Sequence, residues 1–135
     1  MFNVDLRDSG SAEALLRASV LFKFEAPEEA DPFVGSPRFA EALTSLLESI
    51  VQGYVEAGQQ GKADAWRATY RLSARSDRWR YVAEYATRHP GWSSLRDEER
   101  ANWVATVAAP YWLDDGENAR MSEQIDALIR ARGAE

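Results

Sequence analysis

The sequence predicts an all-α, single-domain helical bundle of about five or six helices. Apolar residues recur at the spacing of an α-helix in several segments, and a chain of 135 residues matches the commonest size of one domain. Only one segment also suits a β-strand, and no second strand-like run exists to pair with it. We therefore expect residues 1–135 to form one helical domain.

Near the amino terminus, the sequence from Ala12 onward indicates a helix, although the alternation of apolar residues from Val20 to Phe24 also suits a strand. We favour the helix because a lone strand would have no partner. Residues 1–11 are expected to be irregular. Residues 26–35, which are rich in proline and acidic side chains, are also expected to form an irregular segment.

The most clearly defined helix begins at Ser36 and Pro37. Serine suits the N-cap, and proline suits the first helical position because its missing N–H donor is not needed there. Apolar residues then repeat at helical spacing over five turns, at Phe39, Leu43, Leu46, Leu47, Ile50, Val51, Tyr54 and Val55. Gly58 marks the end of this helix, since a terminal residue with positive φ favours glycine.

The segment from Lys62 to Ala74 is predicted to be the next helix. If this helix continued further, its later apolar residues would point away from the direction set by the earlier ones, so we place a break near Ser76 and Asp77. The helix after the break should stop before Pro90, because proline disfavours helical geometry in the residue before it.

Two further helices complete the predicted bundle. One should start at Ser94, with acidic residues in its first turn, and end at Pro110. The other follows the turn at Gly116 and has one apolar face, formed by Met121, Ile125, Leu128 and Ile129. Because this face could pack against the core or against a copy of itself, the sequence leaves open a homodimer through residues 119–132.

Charge is distributed unevenly along the chain. Residues 62–88 contain seven basic and three acidic residues, a net charge of +4, whereas the remaining residues carry −10 and the whole chain carries −6. Four arginines recur at spacings of four, four and three, so on a continuous helix they would form one arginine stripe: Arg67, Arg71, Arg75 and Arg78. The stripe would bind acidic groups on the chain's own flanking helices, on another protein or on a nucleic acid.

The composition argues against several kinds of catalytic site. The chain has no cysteine and one histidine, which removes thiolate nucleophiles, disulfides and the usual zinc ligand sets. It also has no glycine-rich phosphate-binding loop. We therefore expect no catalytic residues, no metal and no cofactor.

A magnesium site needs only carboxylates and water, so it is harder to dismiss. Residues 98–102 read Glu-Glu-Arg-Ala-Asn, which resembles the paired-glutamate helix motif of all-α nucleotide pyrophosphohydrolases. The resemblance implies an Mg-dependent enzyme that uses Glu98 and Glu99. Asn102 stands where that family has another acid, and this difference removes a metal ligand.

The leading functional hypothesis is a non-catalytic cytoplasmic protein that acts by protein–protein interaction, as small regulators, antitoxins and immunity-type inhibitors do. The expected partner-binding residues lie in the arginine-rich segment and on a second, acidic surface: Trp66, Arg67, Arg71, Arg75, Glu28, Glu29 and Asp31. One alternative is a nucleic-acid binder that uses the basic face of residues 62–88. The other is the Mg-dependent all-α enzyme.

The cytoplasm is the expected location. The sequence begins without a basic segment followed by an apolar run, and no apolar stretch approaches the ~20 residues of a membrane span. We therefore expect no membrane partner.

Overall fold

A computed structural model describes residues 9–133, and within that range the chain forms seven α-helices and two short 3-10 turns. The helices are α1 (Ser9–Glu25), α2 (Pro27–Val34), α3 (Pro37–Glu56), α4 (Gln60–Thr69), α5 (Ser76–Ala86), α6 (Asp97–Ala108) and α7 (Asp115–Gly133). The 3-10 turns are Leu72–Ala74 and Trp92–Ser94. The prediction of an all-α single domain is confirmed, although the predicted count of five or six helices is lower than the seven observed.

The additional helix is α2, which occupies most of the segment 26–35 that the sequence predicts to be irregular. Pro27 stands in its first turn, and Glu28 and Glu29 lie at the positive end of the helix dipole. Ala30 and Val34 lie one helical turn apart and are fully buried. This short helix is therefore stabilised by its packing against the core.

The start of α1 also differs from the prediction, because residues 9–11 are helical, while residues 1–8 lie outside the described range. The helix continues through Phe24, which confirms the preference for a helix over a strand. Ala12, Leu16 and Val20 lie on its buried face, and α1 packs against α2 and α3.

The helix α3 follows the prediction at both ends. The Ser36 hydroxyl accepts a hydrogen bond from the backbone N–H of Phe39 at 3.3 Å, and Gly58 has a φ of +75°. Through its apolar residues α3 packs against α1, α4 and α6. The side chains that it buries include Leu43, Leu47 and Ile50.

The chain leaves α-helical geometry between α4 and α5, over residues 70–75. The sequence predicts such a break but places it near Ser76, so α4 ends five residues before its predicted end. A contact with Trp112 explains the difference. The Leu72 N–H donates to the Trp112 carbonyl at 3.0 Å, and the Trp112 N–H donates to the Tyr70 carbonyl at 2.9 Å. These backbone groups are satisfied across the chain instead of within a longer α4.

The helix α6 begins at Asp97 and not at the predicted Ser94, which belongs to the second 3-10 turn. Arg96 is the N-cap residue, and its backbone N–H donates to the Glu99 carboxylate at 3.0 Å. The acidic residues of this segment therefore stabilise a helix start three residues later than expected.

The last helix, α7, uses its apolar face within this chain. Met121 and Ile125 are fully buried, and Leu128 and Ile129 pack against the core from the same helix. The residues that suggested a homodimer through residues 119–132 are thus core residues, and dimerisation through that range gains no support from their position.

The core lies where all seven helices meet. Each helix contributes at least one fully buried side chain, and these include Leu16, Val34, Leu43, Ala63, Val82, Val107 and Met121. No helix within residues 9–133 combines the length and the apolar character needed to cross a membrane.

Candidate functional site

The four arginines of the predicted stripe do not share one helix face. Arg67 belongs to α4, Arg71 and Arg75 lie in the stretch between helices, and Arg78 lies on α5 with a buried side chain. The prediction required one continuous helix, and the chain leaves helical geometry after Thr69. The continuous stripe is therefore not formed.

Arg71 is held by two carboxylates at the start of α7. Its Nη2 lies 2.6 Å from Asp114 Oδ2, its Nε donates to Glu117 at 3.2 Å, and its guanidinium lies 5.0 Å from the centroid of the Trp112 ring. Burial alone would raise the pKa of Glu117, but the Asp114 backbone N–H, the Ser73 hydroxyl and Arg71 lower that pKa to about 2. Arg71 therefore fastens its own loop to α7.

Arg75 and Arg78 are also paired within the chain. Arg75 forms an exposed ion pair with Asp77 at 2.9 Å. Arg78 is buried, lies 5.2 Å from the centroid of the Phe24 ring and forms an ion pair with Glu25 at 2.9 Å, which joins α5 to α1. For these arginines, the acidic groups that they bind are the chain's own.

Trp66 and Arg67 remain at the surface. Arg67 is exposed, lies 5.8 Å from the centroid of the Trp112 ring, and makes no ion pair with any described residue. Trp66 is half-buried, stacks on Tyr70 at 6.0 Å and has the Arg17 guanidinium 5.2 Å from its centroid. The free part of the predicted arginine surface is therefore reduced to Arg67 and its aromatic neighbours.

The second predicted surface consists of three acidic residues of α2, of which one forms an ion pair and two do not. Asp31 forms an ion pair with Arg88, whose guanidinium lies 4.5 Å from the centroid of the Tyr85 ring. Glu28 and Glu29 are exposed and make no hydrogen bond or ion pair with the residues that the structure describes. Two of the three predicted acids are therefore available to a partner.

An apolar surface that the sequence analysis does not identify lies on α1 and α2. Five large hydrophobic side chains are exposed in the described part of the chain, and four of them lie on these two helices: Leu15, Leu21, Phe22 and Phe33. Phe33 is 48% exposed and Phe22 is 36% exposed. Isolated exposed hydrophobic residues are ordinary, whereas neighbouring ones mark binding surfaces.

A cleft of about 370 Å³ opens in this surface, and it is lined by Ala18, Ser19, Phe22, Phe33 and Phe39. The rings of Phe22 and Phe33 are 5.9 Å apart between centroids, and those of Phe33 and Phe39 are 6.1 Å apart. No charged side chain lines the cleft. We call Leu15 and these five lining residues the α1–α2 face, although Phe39 comes from the start of α3.

The α1–α2 face exists because α1 is apolar on two sides. Leu16 and Val20 lie on the buried side, while Leu15, Ala18 and Phe22 recur at spacings of three and four on a second side. A helix with a second apolar side is expected to cover it with another surface. This spacing is visible in the sequence and could have revealed the face.

Lys23 lies behind the α1–α2 face and is fully buried. Its Nζ donates to the carbonyls of Thr106 at 3.0 Å and Ala109 at 2.8 Å, at the C-terminal end of α6, and lies 6.0 Å from the Phe39 centroid. Burial lowers the pKa of Lys23 to about 7. The side chain satisfies carbonyls that α6 leaves unpaired, and with no exposed surface it is placed for a structural role.

The residues that suggested a magnesium enzyme serve the start of α6. Glu99 accepts hydrogen bonds from the backbone and side chain of Arg96, which lowers the pKa of Glu99, while Glu98 is exposed. The described part of the chain holds no group of three or more Asp, Glu or His side chains that could bind a metal ion. His89 Nδ1 accepts a hydrogen bond from the Gly91 backbone at 3.0 Å, within its own turn.

Comparison with known protein families, with curated proteins and with solved structures finds no match to this chain. The functional proposal therefore rests on the geometry and charge of the described residues.

Proposed function

We propose that this chain is a non-catalytic cytoplasmic protein that acts by binding another protein chain through the α1–α2 face. The observation that carries the proposal is the contact between Phe22 and Phe33, which remain substantially exposed at the edge of an open apolar cleft. Apolar clefts with aromatic walls are typical of protein-binding surfaces, because covering them removes a large apolar area from water.

The cleft is supported by the fold on which it lies. Phe33 packs against Phe22 on one side and Phe39 on the other, and the helices that carry them are anchored by buried residues such as Val34 and Val20. A partner would therefore meet a surface that is already formed. Binding to such a surface orders few additional side chains, which favours affinity.

The residues that the sequence suggests for partner binding take different roles in this proposal. Arg71 and Arg75 are used in ion pairs within the chain. Arg67, Glu28 and Glu29 are exposed without such pairs, so they remain available for polar contacts with a partner. The apolar α1–α2 face supplies the centre of the interface.

The proposal is tested by affinity capture from the native cytosol with three baits: the wild type, Phe33→Ser and Val55→Ser. Val55 is the matched control, because it is an exposed hydrophobic residue on α3 that does not line the cleft. We expect a protein that the wild type and Val55→Ser retain and that Phe33→Ser loses. Retention of the same proteins by all three baits would contradict the proposal.

The same samples separate the two alternatives. Retention that ends after nuclease treatment, with an affinity that falls steeply with salt, would favour a nucleic-acid binder on residues 62–88. A rise in melting temperature with millimolar magnesium would favour the enzyme built on Glu98 and Glu99. Neither result is expected, since the basic segment is largely paired internally and Glu99 is used at the start of α6.

A further inference from the structure

We infer that the occupant of the α1–α2 face is a second copy of this chain, with the two α1 helices packed antiparallel. The inference rests on the proposed function, because it names the partner of the same protein-binding surface. It places self-association on α1, whereas the sequence leaves open a homodimer through residues 119–132.

The spacing of residues on α1 makes this surface complementary to itself. Leu15, Ala18, Ser19 and Phe22 follow the i, i+3, i+4, i+7 pattern of a helix–helix seam. When two such helices pack antiparallel about a point between residues 18 and 19, Leu15 of each copy lies opposite Phe22 of the other. Ala18 then lies opposite Ser19, so small residues meet at the centre and large residues meet at both ends.

The cleft offers a place for the leucine of the second copy. Leu15 is 44% exposed, and the antiparallel arrangement brings it to the level of Phe22, where Phe33 forms the other wall of the cleft. Each copy supplies one Leu15 and one cleft. A single two-fold axis therefore covers both sets of exposed apolar side chains.

Charge is compatible with this arrangement. A chain with a net charge of −6 repels its own copy, so a self-contact requires an uncharged seam, and none of the four seam residues is charged. Glu25 at the end of α1 is already paired with Arg78. In the antiparallel arrangement the two copies of Glu25 are about 20 Å apart along the helix axis, beyond the ~8 Å screening length at physiological salt.

The other helices offer no equivalent surface among the described residues. Met121 and Ile125 of α7 are fully buried, and the fifth exposed hydrophobic residue, Val55, stands alone on α3. The α1 seam takes four residues from each copy, fewer than the roughly 20 to 30 that a standard interface takes from each partner, so we expect a reversible dimer with a dissociation constant in the micromolar range.

The first test is sedimentation velocity of the wild type, Ala18→Arg and Ala14→Arg over a series of protein concentrations. Both alanines are exposed on α1, but Ala14 lies outside the seam. We expect the wild type and Ala14→Arg to dimerise with dissociation constants within about threefold of each other. Ala18→Arg should weaken the dimer at least about 100-fold, because it buries an unpaired guanidinium in the contact. A monomeric wild type, or equal weakening by both variants, would overturn the inference.

The second test determines the direction of the helices. The chain has no cysteine, so Leu15→Cys and Phe22→Cys each carry a single thiol. On mild oxidation of an equal mixture, random pairing would give about twice as much mixed disulfide dimer as either identical pair, and the antiparallel seam predicts an excess well above that ratio. A parallel seam would favour the identical pairs and would overturn the arrangement.

These tests are independent of the proposed function. A monomeric wild type would remove self-association, while the capture comparison of Phe33→Ser with Val55→Ser would still report whether the face binds protein. Conversely, capture that is indifferent to Phe33→Ser would contradict the proposed function whatever the sedimentation shows.

Discussion

The arginine-rich segment of residues 62–88 and the α1–α2 face differ in how many of their side chains find a partner within the chain. Within the segment, Arg71, Arg75 and Arg78 are all paired with carboxylates of the same chain. On the α1–α2 face, Phe22 and Phe33 remain exposed beside an open cleft. Most of the arginines that are conspicuous in the sequence are thus paired within the chain, whereas the apolar side chains of the α1–α2 face remain uncovered.

In this molecule, a local excess of charge is a weak indicator of a binding surface. A charged side chain can find its partner far along the chain, as Arg78 does with Glu25 and Arg71 with Glu117. An apolar side chain on the second side of a helix has no such solution unless another surface covers it. Unsatisfied apolar area is therefore the better guide in this molecule.

We expect the largest loss of stability from a substitution of Arg78, which belongs to the arginine-rich segment and is paired within the chain. Replacing it with alanine should lower the free energy of unfolding by about 3 kcal/mol, because it removes a buried guanidinium, breaks its ion pair with the exposed Glu25 and leaves a cavity beside Phe24. Urea unfolding followed by circular dichroism measures this. Arg80→Ala is the control, since Arg80 is exposed on the same helix, and its effect should stay within ~0.5 kcal/mol. Equal losses of unfolding free energy in the two variants would show that the buried, paired arginine is no more important for stability than the exposed one.

The burial of Lys23 behind the α1–α2 face should make stability depend on pH. Its folded-state pKa of about 7 is lower than its ordinary value of 10.5, so the unfolded chain binds more protons between these values and stability rises with pH. Between pH 6 and pH 9, the unfolding free energy of the wild type should rise by roughly 2.5 kcal/mol relative to Lys23→Met, which lacks this titration. A constant difference between the two proteins across that range would show that Lys23 is not buried as described.

The ion pair between Glu117 and Arg71 of the arginine-rich segment should make stability depend on pH in the acid range. Its folded-state pKa of about 2 lies below its ordinary value of 4.5, so its contribution to stability is complete above pH 4.5 and is lost as the pH falls toward 2. Between pH 5 and pH 3, the wild type should lose about 2 kcal/mol of unfolding free energy relative to Glu117→Gln. Denaturant unfolding at several pH values measures the difference, and parallel curves for the two proteins would be inconsistent with a buried, paired Glu117.

We expect the smallest loss of stability from a substitution on the exposed α1–α2 face. Phe33→Ser should change the unfolding free energy by no more than ~1 kcal/mol, because nearly half of the side chain is already exposed. The same urea measurement gives the value. A loss as large as that of Arg78→Ala would mean that Phe33 serves the core and not a binding surface.

The parts of the fold that local signals determine were predictable. The helix α3 combines a serine N-cap, a proline in its first turn, a regular apolar spacing and Gly58 at its end, so both of its ends agree with the prediction. The short helix α2 was missed because Pro32 lies inside it and its stability comes from the burial of Ala30 and Val34. That burial depends on the rest of the fold.

The candidate site was harder to predict because distant contacts decide it. The arginine stripe fails where Leu72 and Tyr70 pair with the backbone of Trp112, some forty residues later. The second apolar side of α1, by contrast, is a local pattern. Its residues Leu15 and Phe22 could have been identified from their spacing, but only the fold shows that they remain exposed.

We propose that the α1–α2 face, and not the arginine-rich segment, is the protein-binding surface. The most direct test compares Phe33→Ser with Arg67→Ala in one capture assay, because Arg67 is the exposed arginine of the predicted stripe without an ion pair in the described residues. We expect that Phe33→Ser loses the captured protein and that Arg67→Ala retains most of it. Loss with Arg67→Ala and full retention with Phe33→Ser would place the binding surface on the arginine-rich segment instead.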